Sequence, residues 1–378
     1  MKLETLSLTE AGWSQQPFPP LDSAQTLVIV FGAPGFAERA EAFRDLAAAY
    51  PQAQIVGCST SGEILGATVQ DNSLAVAVLQ FEATRLAVTT ASVTSAQDSR
   101  AAGEALARQL LQPDLRGVFV LSDGILVNGS ELVRGLNAVL PETVVVTGGL
   151  AGDGVSFGRT WVIKDGRPQA GFISAVGLYG EHVRLGHGSK GGWDIFGPER
   201  IVTRAAGNVL FELDGKPALA LYKEYLGERA AELPAAALLF PLALRAGPAD
   251  DKQIVRTILA VSEPDQSMTF AGDMPVGYHA RMMKANFDRL VDGASAAALM
   301  TKEHNPCSGP ALAIAVSCVG RRLVLGERTE EELEAVLEAL PPGTLQVGFY
   351  SYGEISPYAT GHCDLHNQTM TLTTICEE

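Results

Sequence analysis

Cysteine is scarce. The five residues Cys58, Cys307, Cys318, Cys363 and Cys376 are odd in number, widely scattered, and include no CxxC pair or CxxCH run. A disulfide framework, structural zinc and covalently attached haem therefore all lose support, and each cysteine reads as a small buried apolar residue. Basic charge is also short. Lys and Arg number 28 against 43 Asp and Glu, leaving a net charge of -15. With no Lys/Arg cluster to form a basic stripe, nucleic acid is not expected as a partner. No stretch approaches the ~18 uninterrupted apolar residues of a membrane span. The acid-bearing start Met1-Lys2-Leu3-Glu4-Thr5 lacks the apolar region of a secretory leader, so a cytoplasmic protein without membrane contact is expected.

A hydrophobic fraction of 47% with 19% charged residues is that of a folded globular protein. The 378 residues exceed the roughly 250–300 at which a single core stops growing, which predicts two domains. After a Pro-containing lead-in, the apolar run 26–32 reads as a strand buried on both faces. Phe36, Ala40, Phe43, Ala47 and Tyr50 then recur at helical spacing before Pro51, and a second strand starts at Gln54, which is βαβ logic. Strands 74–81 and 86–93 read as an antiparallel hairpin. A helix over 97–111, a strand over 117–121, a helix over 130–140 and strands at 143–147, 160–164 and 171–178 follow. The second half repeats the rhythm: strands at 254–261, 268–271 and 278–283, a helix over 286–300, a strand over 311–318, a helix whose Thr329 and Glu332 have capping-box spacing, and strands at 345–350 and 369–375. The fold class expected is mixed α/β (α+β): two pseudo-repeated halves, each a mixed β-sheet packed by helices.

Four strand ends run into a Gly followed by an acid: Gly62-Glu63, Gly152-Asp153, Gly272-Asp273 and Gly353-Glu354. The outer two share a Gly-x4-Gly-Glu-Ile frame, Gly57 to Ile64 and Gly348 to Ile355, which a weak internal duplication explains. Gly lets a ligand approach the backbone, an acid at a strand end accepts hydrogen bonds from it, and crevices at such ends are a usual ligand location. All eight residues are therefore candidate ligand contacts converging on one cleft between the halves. The competing reading is a set of bulges and turns whose acids cap backbone N–H groups.

The segment His187-Gly188-Ser189-Lys190-Gly191-Gly192-Trp193-Asp194-Ile195-Phe196-Gly197-Pro198, continuing through Leu219, resembles the start of the FIST C-terminal domain. The frame ending in Gly353-Glu354-Ile355, with His366-Asn367-Gln368-Thr369, resembles that domain's closing motif. Gly57-Cys58-Ser59-Thr60-Ser61-Gly62-Glu63 and Gly148-Gly149-Leu150-Ala151-Gly152-Asp153 resemble the N-terminal FIST domain. The resemblance implies a lead-in over 1–24, a FIST N-terminal domain over 25–185 and a FIST C-terminal domain over 186–378. It also implies an intracellular sensor that binds a small ligand. FIST domains often accompany histidine kinases and cyclic-di-GMP enzymes, and one branch consists of haem-based nitric-oxide sensors. No kinase, GGDEF or EAL output is recognisable, so regulation of a signalling protein in trans is expected.

Non-covalent haem b needs an axial donor, and the histidines are His182, His187, His279, His304, His362 and His366. His187 stands inside the most family-specific segment, near Arg184 and Lys190 for propionates and Trp193 for a stacking wall, among Gly186, Gly188, Gly191 and Gly192. A small metabolite such as an amino acid is the haem-free version, with Trp193 and Asn367 as further contacts. A hydrolase or transferase with a Cys58 or Ser59 nucleophile is the alternative, against which the GxSxG elbow is absent. If haem binds, His187→Ala is expected to abolish or strongly shift its visible band, whereas an unchanged spectrum removes the assignment.

Overall fold

A computed structural model describes residues 1–378 except 234, 305, 306, 308, 310, 359 and 360 and the side chain of His304. The expected mixed α/β class holds, and its hydrogen-bonding pattern recurs three times around one core. Unit one contains β1 (Lys2–Thr9), β2 (Thr26–Gly32), α1 (Ala40–Ala49), β3 (Gln54–Ser59), β4 (Glu63–Leu65) and β5 (Leu74–Gln80). Unit two contains β6 (Arg85–Ser92), α2 (Ser99–Leu110), β7 (Leu115–Ser122), α3 (Gly129–Asn137), β8 (Val145–Leu150), β9 (Val162–Lys164) and β10 (Phe172–Tyr179). Unit three starts with β11 (Val183–Lys190) and is interrupted by a module over 194–284, which carries α4 (Ala218–Leu226). It resumes with α5 (Phe287–His304), β12 (Leu312–Cys318), α6 (Val319–Leu325), α7 (Thr329–Ala339), β13 (Leu345–Ser351), β14 (Gly353–Pro357) and β15 (Met370–Glu377).

Each unit has a parallel pair, β2/β3, β7/β8 or β12/β13, and an antiparallel strand beside it, β5, β10 or β15. Each also donates one strand to the next sheet. β4 pairs with β13, β14 with β8, and β9 with β3. The three sheets so laced together enclose one apolar core, in which Ile29 and Phe31 meet Phe119, Leu121, Ile314 and Phe349. Phe31 and Phe349 stack at 4.7 Å. Runs such as 26–32 and 312–318 are buried along their whole length because one face meets this core and the other meets α1 or α5 and α7. The module at 194–284 has its own antiparallel sheet and its own core, with Tyr222 and Phe270 at its centre.

Four local expectations are corrected. The lead-in contains a full strand, β1, paired along β5. Strands β5 and β6 are not a hairpin, because they pair into different sheets; the link between them is held by Glu377, which accepts from Glu82 N, Ala83 N and Thr84 N at 2.6–2.8 Å. Thr329 and Glu332 make no capping box. Glu332 is fully buried and binds Arg321 at 2.8 Å, Ser317 Oγ at 2.9 Å and the Tyr350 hydroxyl at 2.7 Å. Finally, Cys307 and Cys376, 69 positions apart, form a disulfide; the stretch after α5 returns to β15, a proximity that scattered spacing hides.

Gly57, Gly148 and Gly348 occupy the same place in the three parallel pairs. A Cβ there would lie 2.1 Å from Val30 O, 1.8 Å from Val120 O and 1.9 Å from Ala315 O. Gly148→Ala is expected to lower the free energy of unfolding in urea by at least ~2 kcal/mol, since the neighbouring carbonyl cannot move out of its ladder. Gly35→Ala, with open space around it, should change it by less than ~0.5 kcal/mol; equal losses would show that the repeat does not depend on these glycines.

Candidate functional site

The three crossings between sheets meet at one point, closed by a ring of backbone hydrogen bonds. Ser61 N donates to Tyr350 O at 2.8 Å, Tyr352 N to Leu150 O at 3.2 Å and Gly152 N to Ser59 O at 3.0 Å. This ring places three of the Gly-acid motifs. Glu63 accepts from Thr60 Oγ1 and from Ser73 N and Oγ at 3.0 and 2.9 Å. Glu354 does the same with Ser351 Oγ at 2.8 Å and Thr369 N and Oγ1 at 3.2 and 2.9 Å. Each carboxyl thus pins the residue before its unit's closing strand, β5 or β15. Both are closed off from solvent, and burial pushes Glu63 up to about 7 and Glu354 up to about 8. In unit two the acid stands one residue earlier. Burial acts on Asp153 too, but donors from Arg159 N, the Tyr352 hydroxyl, Gly158 N and Phe157 N outweigh it and hold this carboxyl below its ordinary value.

Above the ring lies a cleft of about 760 Å³ between the three-sheet body and the inserted module. One wall is the loop from Gly124 to Gly129 that enters α3, the segment Gly154 to Phe157, Tyr352, and the start of α6 from Cys318 to Leu323. The facing wall is Leu233, Leu238, Thr257 to Leu259 and Phe270 to Asp273. It sits at the carboxyl ends of β7, β8 and β12, where open α/β sheets leave a crevice. Gly272 and Asp273 line it; Asp273 joins module to body by accepting from Arg134 Nη1 at 2.9 Å, and its N–H donates to Ser130 Oγ at 3.2 Å. Gly62, Glu63, Gly152, Gly353 and Glu354 lie in or behind the ring rather than along this cleft. Asp153 acts through Tyr352, whose hydroxyl it accepts. Tyr352 was inside the quoted Gly-x4-Gly frame, but nothing in the sequence marked Phe157, Thr257 or Cys318. Burial pushes the Cys318 thiol up to about 12, which leaves it a neutral wall residue.

The other candidates are dispersed. Trp193 lines a separate cavity of about 170 Å³ and donates Nε1–H to Gln368 O at 2.8 Å. Asn367 is buried beside it in the chain fold, donating to His366 O at 2.9 Å. His187 is buried in β11 and lines a third cavity, of about 490 Å³, with Arg116, Glu142, Glu181 and Arg184. Gly186 and Gly188 do not face a ligand: a Cβ on either would strike Thr301 O at 2.5 Å or Ala297 O at 2.0 Å, so they seat α5 on β11. The haem pocket expected around His187 does not assemble, because Trp193 lines a different cavity and Gly186 and Gly188 are occupied by α5 rather than open to a planar ligand. His366 is buried, with Nε2 at 2.9 Å from Ser356 O, and burial lowers its pKa. His279 pairs with Glu199, His182 with the Glu378 carbonyl and His362 with Glu142; the His304 side chain lies outside the described residues. Among the described residues no group of three His, Cys, Asp or Glu could hold a metal ion. Cys58 sits in the central core, where burial pushes its thiol far up, and Ser59 Oγ accepts from Trp161 N at 3.0 Å; neither is placed to meet a substrate.

Three laced sheets and an inserted module thus leave one large cleft at the carboxyl ends of β7, β8 and β12. The FIST N domain matches residues 26–216 and the FIST C domain residues 218–357, and the chain belongs to the FIST family, whose domains are sensory domains of signalling proteins. No curated protein matches the chain. The two domain matches meet at residue 217, inside the inserted module, whereas the sheets divide the body at the β5–β6 and β10–β11 links. Among the described residues no helix is long and apolar enough to cross a membrane.

Glu63 and Glu354 carry a pH signature. Their folded pKa values lie above the ordinary 4.5, so between about 4.5 and about 8 the folded chain holds protons that the unfolded chain has released. Stability contributed by the neutral carboxyls is full below 4.5 and declines as pH rises through 7 and 8. In urea titrations Glu354→Gln is expected to flatten the decline between pH 5 and pH 8. A slope as steep as in the parent would show that Glu354 is ionised in the fold.

Proposed function

We propose that this protein is a cytoplasmic ligand sensor in which a small, mainly apolar molecule enters the cleft between body and module, and the bound form regulates a separate signalling protein such as a histidine kinase or cyclic-di-GMP enzyme. One observation carries the reading. Of the eleven large apolar side chains exposed among the described residues, Ile125, Val155, Phe157, Leu259 and Leu323 all line this one cleft, and clustered exposed apolar surface marks a binding site. No Lys, Arg or His is among the described residues lining it, which disfavours an amino acid held by its carboxylate. Because its two walls belong to separately packed cores, a ligand touching both favours whichever relative placement of module and body fits it, and that differential affinity is what a sensor transmits. The Cys307–Cys376 bridge tests the compartment, since disulfides are rare in a reducing cytosol: the cytoplasmic reading expects the pair to be reduced in intact cells, and an oxidised pair there removes it.

The neutral fluorophore N-phenyl-1-naphthylamine should brighten on entering the cleft and raise the melting temperature in proportion to its occupancy. Leu323 is 46% exposed, so Leu323→Glu should leave unliganded stability within ~0.5 kcal/mol while weakening the fluorophore at least about tenfold, the cost of a carboxylate in an apolar wall. Unaltered binding in that variant would place the site elsewhere. No ligand-dependent change in the rate of a co-encoded kinase or cyclase, with no complex formed, would remove the in-trans role.

A further inference from the structure

The class of molecule the cleft accepts follows from three features of its walls, and rests on the cleft being the ligand site. The first is an aromatic shelf. Phe157 stacks on Tyr352 at 4.6 Å and 15° and is 53% exposed, so the ring carries a free face at the cleft. Its φ of 47° is unusual for a bulky residue, and Asp153 holds the turn by accepting from Phe157 N, Gly158 N and Arg159 N at 2.7–2.9 Å. The same carboxylate accepts from the Tyr352 hydroxyl, which also reaches Gly154 O at 3.1 Å. Asp153 is thus a positioning residue that orients both rings.

The second feature is a polar group left without a partner. Thr257 lines the opposite wall and is 5% exposed; its Oγ1 is closed off from the surface and has no hydrogen-bond partner among the described residues, so a rotation about χ1 is the movement that brings the hydroxyl to a ligand. A buried unsatisfied hydroxyl is costly unless something else satisfies it. The third is charge. Among the described residues the only charged side chains lining the cleft are Glu232 and Asp273, and Asp273 is already matched by Arg134, so an anion meets repulsion and a cation finds no unmatched buried acid.

We infer that the cleft takes an uncharged, flat aromatic molecule carrying a hydroxyl- or carbonyl-type group, stacked on Phe157 and hydrogen-bonded to Thr257. Stacking distinguishes an aromatic from a saturated ring of equal size, because the quadrupole interaction adds to area burial. A hydroxyl supplies both donor and acceptor to the threonine.

Displacement of N-phenyl-1-naphthylamine by 2-naphthol, naphthalene, decahydro-2-naphthol and 2-naphthoate tests this on the full chain. 2-Naphthol should displace the fluorophore at a concentration about tenfold below that of decahydro-2-naphthol, and 2-naphthoate should be the weakest. Phe157→Leu keeps the apolar bulk and should erase the aromatic preference. Thr257→Val should weaken 2-naphthol by about three- to tenfold and leave naphthalene unchanged, with a melting temperature equal to or above that of the parent because an unsatisfied hydroxyl is gone. Equal displacement by 2-naphthol and decahydro-2-naphthol, a stronger effect of 2-naphthoate, or indifference of 2-naphthol to Thr257→Val overturns the ligand class while the cleft reading stands. No binding of the fluorophore to the parent protein overturns both.

Discussion

Everything in the body depends on the ring where Ser61, Tyr352 and Gly152 each donate a backbone N–H to the carbonyl of a residue from a neighbouring unit. At this point the chain leaves one sheet and enters another three times, and each crossing would strand buried N–H and C=O groups if no partner were provided. The units provide partners for one another. The geometry is tight enough that side chains are excluded at Gly57, Gly148 and Gly348, where the parallel neighbour's carbonyl fills the space of a Cβ.

Around this ring the polar groups are arranged in layers. Glu63 and Glu354 tie each crossing to the start of its closing strand, and Arg321 with Glu332, both wholly buried, tie α6 and α7 to the carbonyls of Leu290 and Gly191. A buried pair of this kind stands only because its remaining donors and acceptors are also satisfied. Under the cleft lies a wall fixed by these buried bonds, and the module is seated on the body by a shared apolar cluster of Trp193, Leu290, Val324 and Leu325 with Ala243, Val255 and Met283, and by bonds such as Arg256 Nη1 to Leu365 O at 2.9 Å.

The inserted module also explains why the FIST motif segment at 187–219 looked like a site. Its glycines are spent on packing, with Gly188 and Gly192 under α5, and Trp193 is a buried anchor between body and module. Sequence specificity there reflects a crowded junction through which the chain must pass twice, once into the module and once out of it.

Strand identity was legible from composition alone. Runs such as 26–32 and 312–318 have no polar face, so they had to be buried on both sides, and the helices between them showed their apolar stripes. The repeated Gly-x4-Gly-Glu-Ile frame was legible as well, and it does mark equivalent crossings. Which sheet each strand joins was not, because β4, β9 and β14 pair with strands remote in sequence, and backbone hydrogen bonds carry no residue-type signature. For the same reason the acids divided without warning: Glu63, Glu354 and Glu332 turned inward to fixed donors, while Asp273 met Arg134 across the module. The sequence by itself determined which segments must be buried and where the chain must bend closely. Only the tertiary structure decided which side chains share a cavity, since a cleft wall assembled from Phe157, Thr257, Cys318 and Tyr352 exists only after three sheets and a module have closed on one another.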